Sequence, residues 1–174
     1  MTEYLIIGTS HWVQESSELE DTVVRAARHG VALIVEENTY DIASTSARRA
    51  AKRQGIAYLQ VDPSPAEWAE LGIEREMDLR DRCLQQEDVR LSHADDLREE
   101  LWLSRIDAAQ FLGRVLVVCG YLHVDFLAKK VEERGGTVAE KSTFPADLLA
   151  RKPTTVLSQA ELEDYVNTSH GTGA

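Results

Sequence analysis

Two histidines, His11 and His123, each end a Gly-x-x-His step that directly follows an apolar run of the sequence. Gly8 opens the first step and Gly120 the second, and glycine removes the side chain where the backbone must turn sharply. A single step of this kind arises easily by chance, but two steps in the same position after apolar runs are more specific. The alternative for each histidine alone is a structural role, such as capping a helix.

The chemistry available to these histidines depends on a third group, and Glu36 and Glu37 follow another apolar run. Two neutral imidazoles and a carboxylate can hold a divalent ion and leave positions open for water. Without a metal, a histidine beside a glutamate can act as a general base. A cation such as Arg98 can stabilise negative charge that develops on a carbonyl or phosphoryl oxygen.

Alternating strands and helices must bring these residues together. Apolar runs predict strands at 4–8, 31–35, 56–61, 114–120 and 137–140. Strands that are apolar throughout are typical of a parallel sheet covered on both faces. The pattern predicts an α/β fold, with a central, mostly parallel sheet of about five strands flanked by helices. Ligands bind beyond the carboxyl ends of parallel strands, so the histidines and glutamates are expected at that edge.

The 174 residues predict one α/β domain over 1–166 and a disordered tail over 167–174. A charged, helix-favouring stretch at 63–96 interrupts the alternation, and we expect it to form a helical insert over the sheet edge. A longer helix follows, with Leu97 and Leu101 on one apolar stripe and Arg98 on a neighbouring stripe.

The net charge of −11 disfavours nucleic acid and anionic membranes as partners. One predicted helix carries a basic cluster of Arg48, Arg49, Lys52 and Arg53. A solvated helix face is the simpler interpretation of that cluster. No stretch approaches the roughly 20 apolar residues of a membrane span, and no secretory signal is predicted.

The two cysteines, Cys83 and Cys119, do not have the spacing of a disulfide framework or a zinc knuckle. Cys119 lies inside an apolar run, where a small core residue is the simpler interpretation than a nucleophile. We therefore expect a protein of the reduced cytoplasm. The sequence leaves open whether it forms a homo-oligomer.

At this point the chain resembles the Tiki/TraB superfamily, which is related to the erythromycin esterase-like and ChaN-like proteins. The matching features are the two Gly-x-x-His steps, Glu36 at the end of Leu-Ile-Val-Glu, and Arg98 on a helix before the second step. The resemblance spans about residues 5–135. It implies a compact α/β fold with a metal-dependent or metal-assisted hydrolytic site. Members include proteases, esterases and a haem binder, so the fold does not fix the reaction.

Because side chains alternate along a strand, Glu36 and Glu37 are expected on opposite faces of the sheet. The family pattern selects Glu36 as the site residue. The resemblance then implies that His11, His123 and Glu36 bind a divalent ion such as Mn, Co, Zn or Fe. Glu36 and Arg98 are the catalytic residues that it implies.

The first functional hypothesis is metal-dependent hydrolysis of a small ester, amide or peptide. Arg98 would bind an anionic group or oxyanion of the substrate, and Ser10 and Tyr121 are further predicted substrate contacts. The alternative is a non-catalytic partner-binding or regulatory module that retains the scaffold, with the stretch 66–96 as its interface. A nucleotide-binding domain is a weaker hypothesis, because the chain has no Gly-x-Gly-x-x-Gly or Walker loop.

Overall fold

The computed structural model of the protein describes residues 2–38, 42–78, 89–146, 155–161 and 163–164. The strands of this part of the chain are β1 (Glu3–Thr9), β2 (Val31–Glu36), β3 (Ala57–Gln60), β4 (Val89–Leu91), β5 (Arg114–Gly120), β6 (Thr137–Phe144) and β7 (Thr155–Leu157). The helices are α1 (Ser17–Ala27), α2 (Ser46–Gln54), α3 (Pro65–Leu71), α4 (Ser92–Ala108) and α5 (Val124–Glu133). Short 3-10 helices follow β1 and β5 at His11–Val13 and Tyr121–His123, and residues 74–78 are also helical.

Five of the strands form a parallel sheet in the order β3-β2-β5-β1-β6. The central strand β5 pairs with β1 on one side and β2 on the other, and its residues 115–119 are all buried. Helices cover the sheet, which confirms the predicted α/β class and the parallel pairing. The uninterrupted apolar runs carried this prediction, because only strands buried on both faces need them.

Each face of the sheet has its own core. On one face, α1 and α2 pack through Leu19, Val23, Ala47 and Ala50. On the other face, α4 and α5 pack through Trp102, Leu103, Ile106, Leu127 and Val131. On the first face, α2 can pack close to the sheet because its buried side chains are small alanines. On the second face, the large side chain of Trp102 fills the space between the helix and the sheet.

The basic cluster of α2 lies against the acidic start of α1. Arg49 Nε donates to Glu20 Oε2 at 2.7 Å, and Arg53 Nη1 lies 3.5 Å from Asp21 Oδ1. The guanidinium of Arg48 lies over the ring of Tyr58, 4.9 Å from its centroid. These contacts give three of the four basic residues a structural role.

The predicted helical insert at 63–96 is helical only in part. It contains α3, the helical residues 74–78 and the start of α4, but it also contains β4, which pairs in parallel with β7. Ile73, Met77, Leu91 and Ala94 form a third, small core beneath these segments. The strand was missed because three residues within a charged stretch make no apolar run. Residues 79–88, which include Cys83, and the tail at 167–174 lie outside the described residues.

Among the helices that the structure describes, none combines the length and the apolar character needed to cross a membrane.

Candidate functional site

The carboxyl edge of the sheet gathers polar side chains from four strands. His11 follows β1, Glu37 follows β2, Asp62 follows β3 and His123 follows β5. The first two turns of α4 add Asp95, Arg98 and Glu99, all of which are buried. The topology therefore brings both predicted histidines to one edge, as the strand order requires.

Glu37 lies at the centre of the site. Its Oε1 atom lies 3.9 Å from His11 Nε2 and 3.7 Å from His123 Nε2. The same oxygen accepts a short hydrogen bond from Arg98 Nη2. Its other oxygen, Oε2, accepts the backbone N–H of Gly120 at 2.6 Å. The side chain is 1% exposed, so both oxygens are held by protein groups rather than by bulk water.

These contacts keep the Glu37 carboxyl ionised. Burial alone would raise its pKa, because a low-dielectric environment disfavours the charged form. The charges of His123, Arg98 and His11, together with the Gly120 N–H, outweigh burial and hold the pKa of Glu37 well below its usual value.

Arg98 ties three carboxylates together. Its Nε and Nη2 atoms donate to Asp62 Oδ1 at 2.9 and 2.8 Å, and its Nη1 atom donates to Asp95 Oδ1 at 3.0 Å. Burial would lower the pKa of Arg98, but Asp62, Glu37 and Asp95 raise it well above its usual value. The guanidinium is 1% exposed. These contacts favour a positioning role over the predicted direct contact with a substrate anion.

His123 is oriented by Glu99. The Nδ1 atom of His123 lies 2.7 Å from Glu99 Oε1. An ionised carboxylate can only accept, so Nδ1 carries a proton, and Nε2 is the ring nitrogen on the side of Glu37. Arg90, on β4, holds Glu99 with two hydrogen bonds of 2.5 and 3.1 Å. The edge of the Trp102 ring closes the other side of the imidazole, with centroids 4.8 Å apart.

The site also contains Asp62, Arg90, Asp95 and Glu99, which the sequence motifs did not indicate. Leu97 and Leu101 of the predicted apolar stripe are half buried, and Leu97 packs against the third core, whereas Asp95, Arg98 and Glu99 in the first turns of α4 are fully buried. A signal for this face existed. Asp95, Arg98, Glu99 and Trp102 follow the i, i+3, i+4, i+7 spacing of a single helix face.

The structure separates Glu36 from the two histidines. Its Oε2 atom accepts hydroxyl hydrogen bonds from Thr45 at 2.5 Å and Tyr58 at 2.7 Å. Glu36 thus lies on the face covered by α1 and α2, and Glu37 replaces it beside His11 and His123. Strand alternation separates the two glutamates as expected, and the structure brings Glu37, not the predicted Glu36, to the two histidines.

Ser10, His11 and Tyr121 line the turns that follow β1 and β5. The Oγ atom of Ser10 accepts the N–H of Trp12 at 3.3 Å and so caps the first 3-10 helix. Ser10 and Tyr121 are both buried, whereas the His11 side chain is 18% exposed. Trp12, beside it, is 81% exposed. Solvent therefore reaches the site at His11, and the predicted substrate contacts lie deeper.

Glycine at the start of each Gly-x-x-His step allows close packing and is not required by an unusual backbone conformation. A Cβ atom at Gly8 would lie 2.4 Å from Val124 Cγ2 and 2.9 Å from Tyr121 Cα. Glycine here lets the turn after β5 pack directly on β1. A Cβ at Gly120 would lie 3.2 Å from Glu37 Oε2, so glycine here admits the carboxylate to the backbone N–H.

Cys119 is buried in the core that contains Trp102. Burial raises the pKa of its thiol well above the usual value, and the charges of Glu37 and Glu99 add to this effect. A thiol that stays protonated is a poor nucleophile. The structure therefore favours the core interpretation of Cys119.

Two imidazole nitrogens and a carboxylate oxygen are donor atoms that suit a divalent ion. Atoms that bind one zinc ion lie about 2.0–2.2 Å from it, and so less than about 4.5 Å apart. The distances of 3.7 and 3.9 Å from Glu37 Oε1 to the two imidazoles fall within that limit. Within the described ranges, however, no three His, Cys, Asp or Glu side chains are arranged as closely as ligands of a formed metal centre.

Among the described residues, the buried carboxylates of the site are Glu37, Asp62, Asp95 and Glu99, and they face the guanidinium groups of Arg90 and Arg98. Buried charges are tolerated when they are paired in this way.

Comparisons of the chain with models of known protein families, with curated proteins and with solved structures gave no match.

Proposed function

We propose that the chain is a hydrolase for a small ester, amide or peptide, and that a divalent ion held by His11, His123 and Glu37 assists it. One observation carries the proposal: Nε2 atoms from two separate turns lie within 4 Å of one oxygen of the Glu37 carboxylate. The Tiki/TraB resemblance supplies the reaction class, and Glu37 takes the place that it gave to Glu36.

A bound divalent ion lowers the pKa of coordinated water and polarises a substrate carbonyl. Mn, Co, Zn and Fe all suit a site of two imidazoles and one carboxylate.

The surrounding residues would prepare the ligands. Glu99 holds the proton of His123 on Nδ1 and so leaves Nε2 free to bind. Arg90 fixes Glu99 from β4. Arg98 and the Gly120 N–H keep Glu37 ionised and oriented. Each of these groups acts through a ligand and does not need to touch the substrate.

His11 gives the site its opening to solvent. Its side chain is more exposed than that of His123, so a substrate carbonyl would approach from the His11 side. The proposed substrates are small because the remaining members of the site are closed by α4, by β4 and by the turn after β5.

The test measures metal content and ion affinity in protein purified without a histidine tag. Wild-type protein and the Glu36→Gln variant are expected to bind about one Mn, Co, Zn or Fe ion per chain. The Glu37→Gln variant and the His11→Ala/His123→Ala double variant are expected to lose affinity by about tenfold or more. Glu36→Gln is the matched control, since it makes the same change one residue away on the opposite face.

Two outcomes would overturn the proposal. One is wild-type protein that binds no ion even after incubation with each metal. The other is a loss of ion binding in Glu36→Gln but not in Glu37→Gln. If ion binding follows the expected pattern, the loaded protein is screened with chromogenic esters and peptide amides, and hydrolysis should disappear with the ion.

A further inference from the structure

Trp12 follows His11 in the chain, at the mouth of the site, and it is 81% exposed. Tryptophan is largely buried in most folded proteins, so this indole exposes an unusually large apolar surface to water. The His11 side chain, which is 18% exposed, is the part of the proposed metal site that solvent reaches. The exposed indole is therefore carried one residue from the opening by which a substrate would enter.

The backbone that carries Trp12 is held by hydrogen bonds on both sides. Before it, Ser10 Oγ accepts the N–H of Trp12 at 3.3 Å, and the Ser10 carbonyl accepts the N–H of Val13 at 3.1 Å. After it, the buried side chain of Gln14 donates from Nε2 to the carbonyl oxygen of Glu37 at 2.8 Å. The turn below the indole is thus fixed to the same residue that supplies the proposed carboxylate ligand.

A fixed backbone favours recognition by this side chain, because less conformational freedom remains to be lost when a ligand packs against it. Tryptophan adds a large, rigid surface with only two side-chain torsion angles. Adjacent residues of a 3-10 helix have Cα atoms about 3.8 Å apart and side chains that diverge by about 120°. A substrate whose carbonyl lies at His11 would therefore meet the indole with a neighbouring group and not with the carbonyl itself.

We propose that Trp12 determines the specificity of the site, by packing its indole against an aromatic side group next to the scissile carbonyl of the substrate. This inference rests on the proposed hydrolytic function, since it assigns the substrate class of that same site. Aromatic rings in offset or edge-to-face contact attract each other beyond the effect of the area that they bury. The substrate class is then an ester, amide or peptide with an aromatic side chain on its acyl part.

The experiment compares two esters that differ in one group, the methyl esters of N-acetylphenylalanine and N-acetylalanine, with the metal-loaded full chain. The rate of acid release in a pH-stat gives kcat/KM for each ester. Wild-type protein is expected to favour the phenylalanine ester by about tenfold or more, because only that ester brings a ring to the indole. A ratio near one in wild-type protein would overturn the inference and leave the hydrolytic function in place.

Three variants locate the preference. Trp12→Ser is expected to bring the ratio of the two kcat/KM values close to one, whereas Trp12→Phe, which keeps an aromatic ring, should retain most of it. Leu112→Ser is the matched control and should leave the ratio unchanged. Leu112 is 94% exposed, but it lies between α4 and β5, at the opposite edge of the sheet. An unchanged ratio in Trp12→Ser would overturn the assignment to Trp12.

Failure of the hydrolytic function gives a different result, which is cleavage of neither ester by the metal-loaded protein. Calorimetry then decides the inference, with the uncleaved phenylalanine ester as the ligand. Binding to wild-type protein is expected to be about tenfold or more tighter than binding to Trp12→Ser. Equal affinity of the two proteins, or no binding to either, would overturn the inference.

A second copy of the chain is the other occupant that an exposed indole could have. Analytical ultracentrifugation at the concentrations of the ester assay distinguishes this case. Wild-type protein and Trp12→Ser are expected to sediment alike, because the indole is assigned to the substrate. A wild-type assembly that dissociates in Trp12→Ser would overturn the inference and assign Trp12 to contacts between copies.

Discussion

Glu36 and Glu37 are neighbours in the chain, yet they occupy opposite electrostatic environments. Glu36 is fully buried among hydroxyl groups on the face covered by α1 and α2, and burial raises its pKa to about 6. Glu37 is equally buried on the other face, but Arg98 and the two histidines hold its pKa well below the usual value. Burial is the same for both residues, so the difference comes from their partners.

In this fold, a structural carboxylate differs from a site carboxylate in whether its charge is compensated. Thr45 and Tyr58 donate to one oxygen of Glu36 through neutral hydroxyl groups, which hold the side chain in place without compensating its charge. Glu37 is compensated by the guanidinium group of Arg98, which it shares with Asp62 and Asp95, and by a backbone N–H. A carboxylate that is ionised and held beside two imidazoles can bind a cation, whereas one that gains a proton near pH 6 is less suited to do so.

The largest loss of stability is expected when Arg98 is removed from the face of the sheet on which Glu37 lies. Arg98→Gln leaves Glu37, Asp62 and Asp95 buried without their shared cation, and breaking such a pair destabilises by about 3–5 kcal/mol. The free energy of unfolding from urea titration at pH 7 measures the effect. Arg48→Gln is the control on the Glu36 face, where the half-exposed guanidinium contributes about 1 kcal/mol or less. Equal losses in the two variants would show that the faces do not differ as described.

Glu37→Gln is expected to reduce the unfolding free energy at pH 7 by about 2–3 kcal/mol, because it removes the charge that bonds Arg98. The pKa of Glu37 is lower in the folded state, so its stabilisation is complete above the unfolded value of 4.5 and is lost as the pH falls below it. The gap between wild type and variant should therefore narrow between pH 4.5 and 3. A gap that stays constant over this range would mean that Glu37 is not stabilised in its ionised form.

Glu36→Gln is expected to gain stability relative to wild type as the pH rises, in contrast to Glu37→Gln. The folded state raises the pKa of Glu36 from 4.5 to about 6, so folding takes up a proton between these values and stability falls as the pH rises through them. The raised pKa corresponds to about 2 kcal/mol. The variant should gain on wild type by about this amount between pH 4.5 and 7. Parallel pH profiles of the two proteins would contradict the burial of an uncompensated carboxylate.

The sequence predicted the layers of the fold because the strands are apolar throughout and the helices have caps and stops that can be recognised. It also predicted that His11 and His123 share one edge, since parallel strands align their carboxyl ends. The sequence could not decide between Glu36 and Glu37 as the neighbour of the histidines. Strand alternation places the two glutamates on opposite faces of the sheet, but the face on which the histidines lie depends on how the turns after β1 and β5 pack.

Arg90 and Asp62 depend on tertiary contacts that no local pattern reports. Arg90 reaches Glu99 only because β4 pairs with β7, about 65 residues further along the chain. Asp62 follows a short strand and looks like an ordinary turn residue before proline. The charged face of α4 contradicts the rule that a helix turns apolar residues inward. It does so because the carboxylates meet arginines there, and charges are tolerated in a core when they are paired.

The smallest expected effect on stability, and the most specific test of the Glu37 face, comes from Gly120→Ala. The backbone of Gly120 is extended, so alanine adds contact but no backbone strain. The new Cβ would lie 3.2 Å from Glu37 Oε2 and 3.3 Å from His123 Cδ2, and both side chains can yield by a few tenths of an ångström. The unfolding free energy should fall by about 1 kcal/mol.

Ion affinity should fall by about tenfold in the same variant, because the shift alters the distance between two proposed ligands. Gly8→Ala provides the contrast. Its Cβ would meet the backbone of Tyr121 at 2.9 Å, which cannot yield in the same way, and a stability loss of about 1–3 kcal/mol is expected. If Gly120→Ala lost stability as Gly8→Ala does but kept its ion affinity, Gly120 would serve packing alone. The Glu37 carboxylate would then not need its place at the Gly120 N–H to bind an ion.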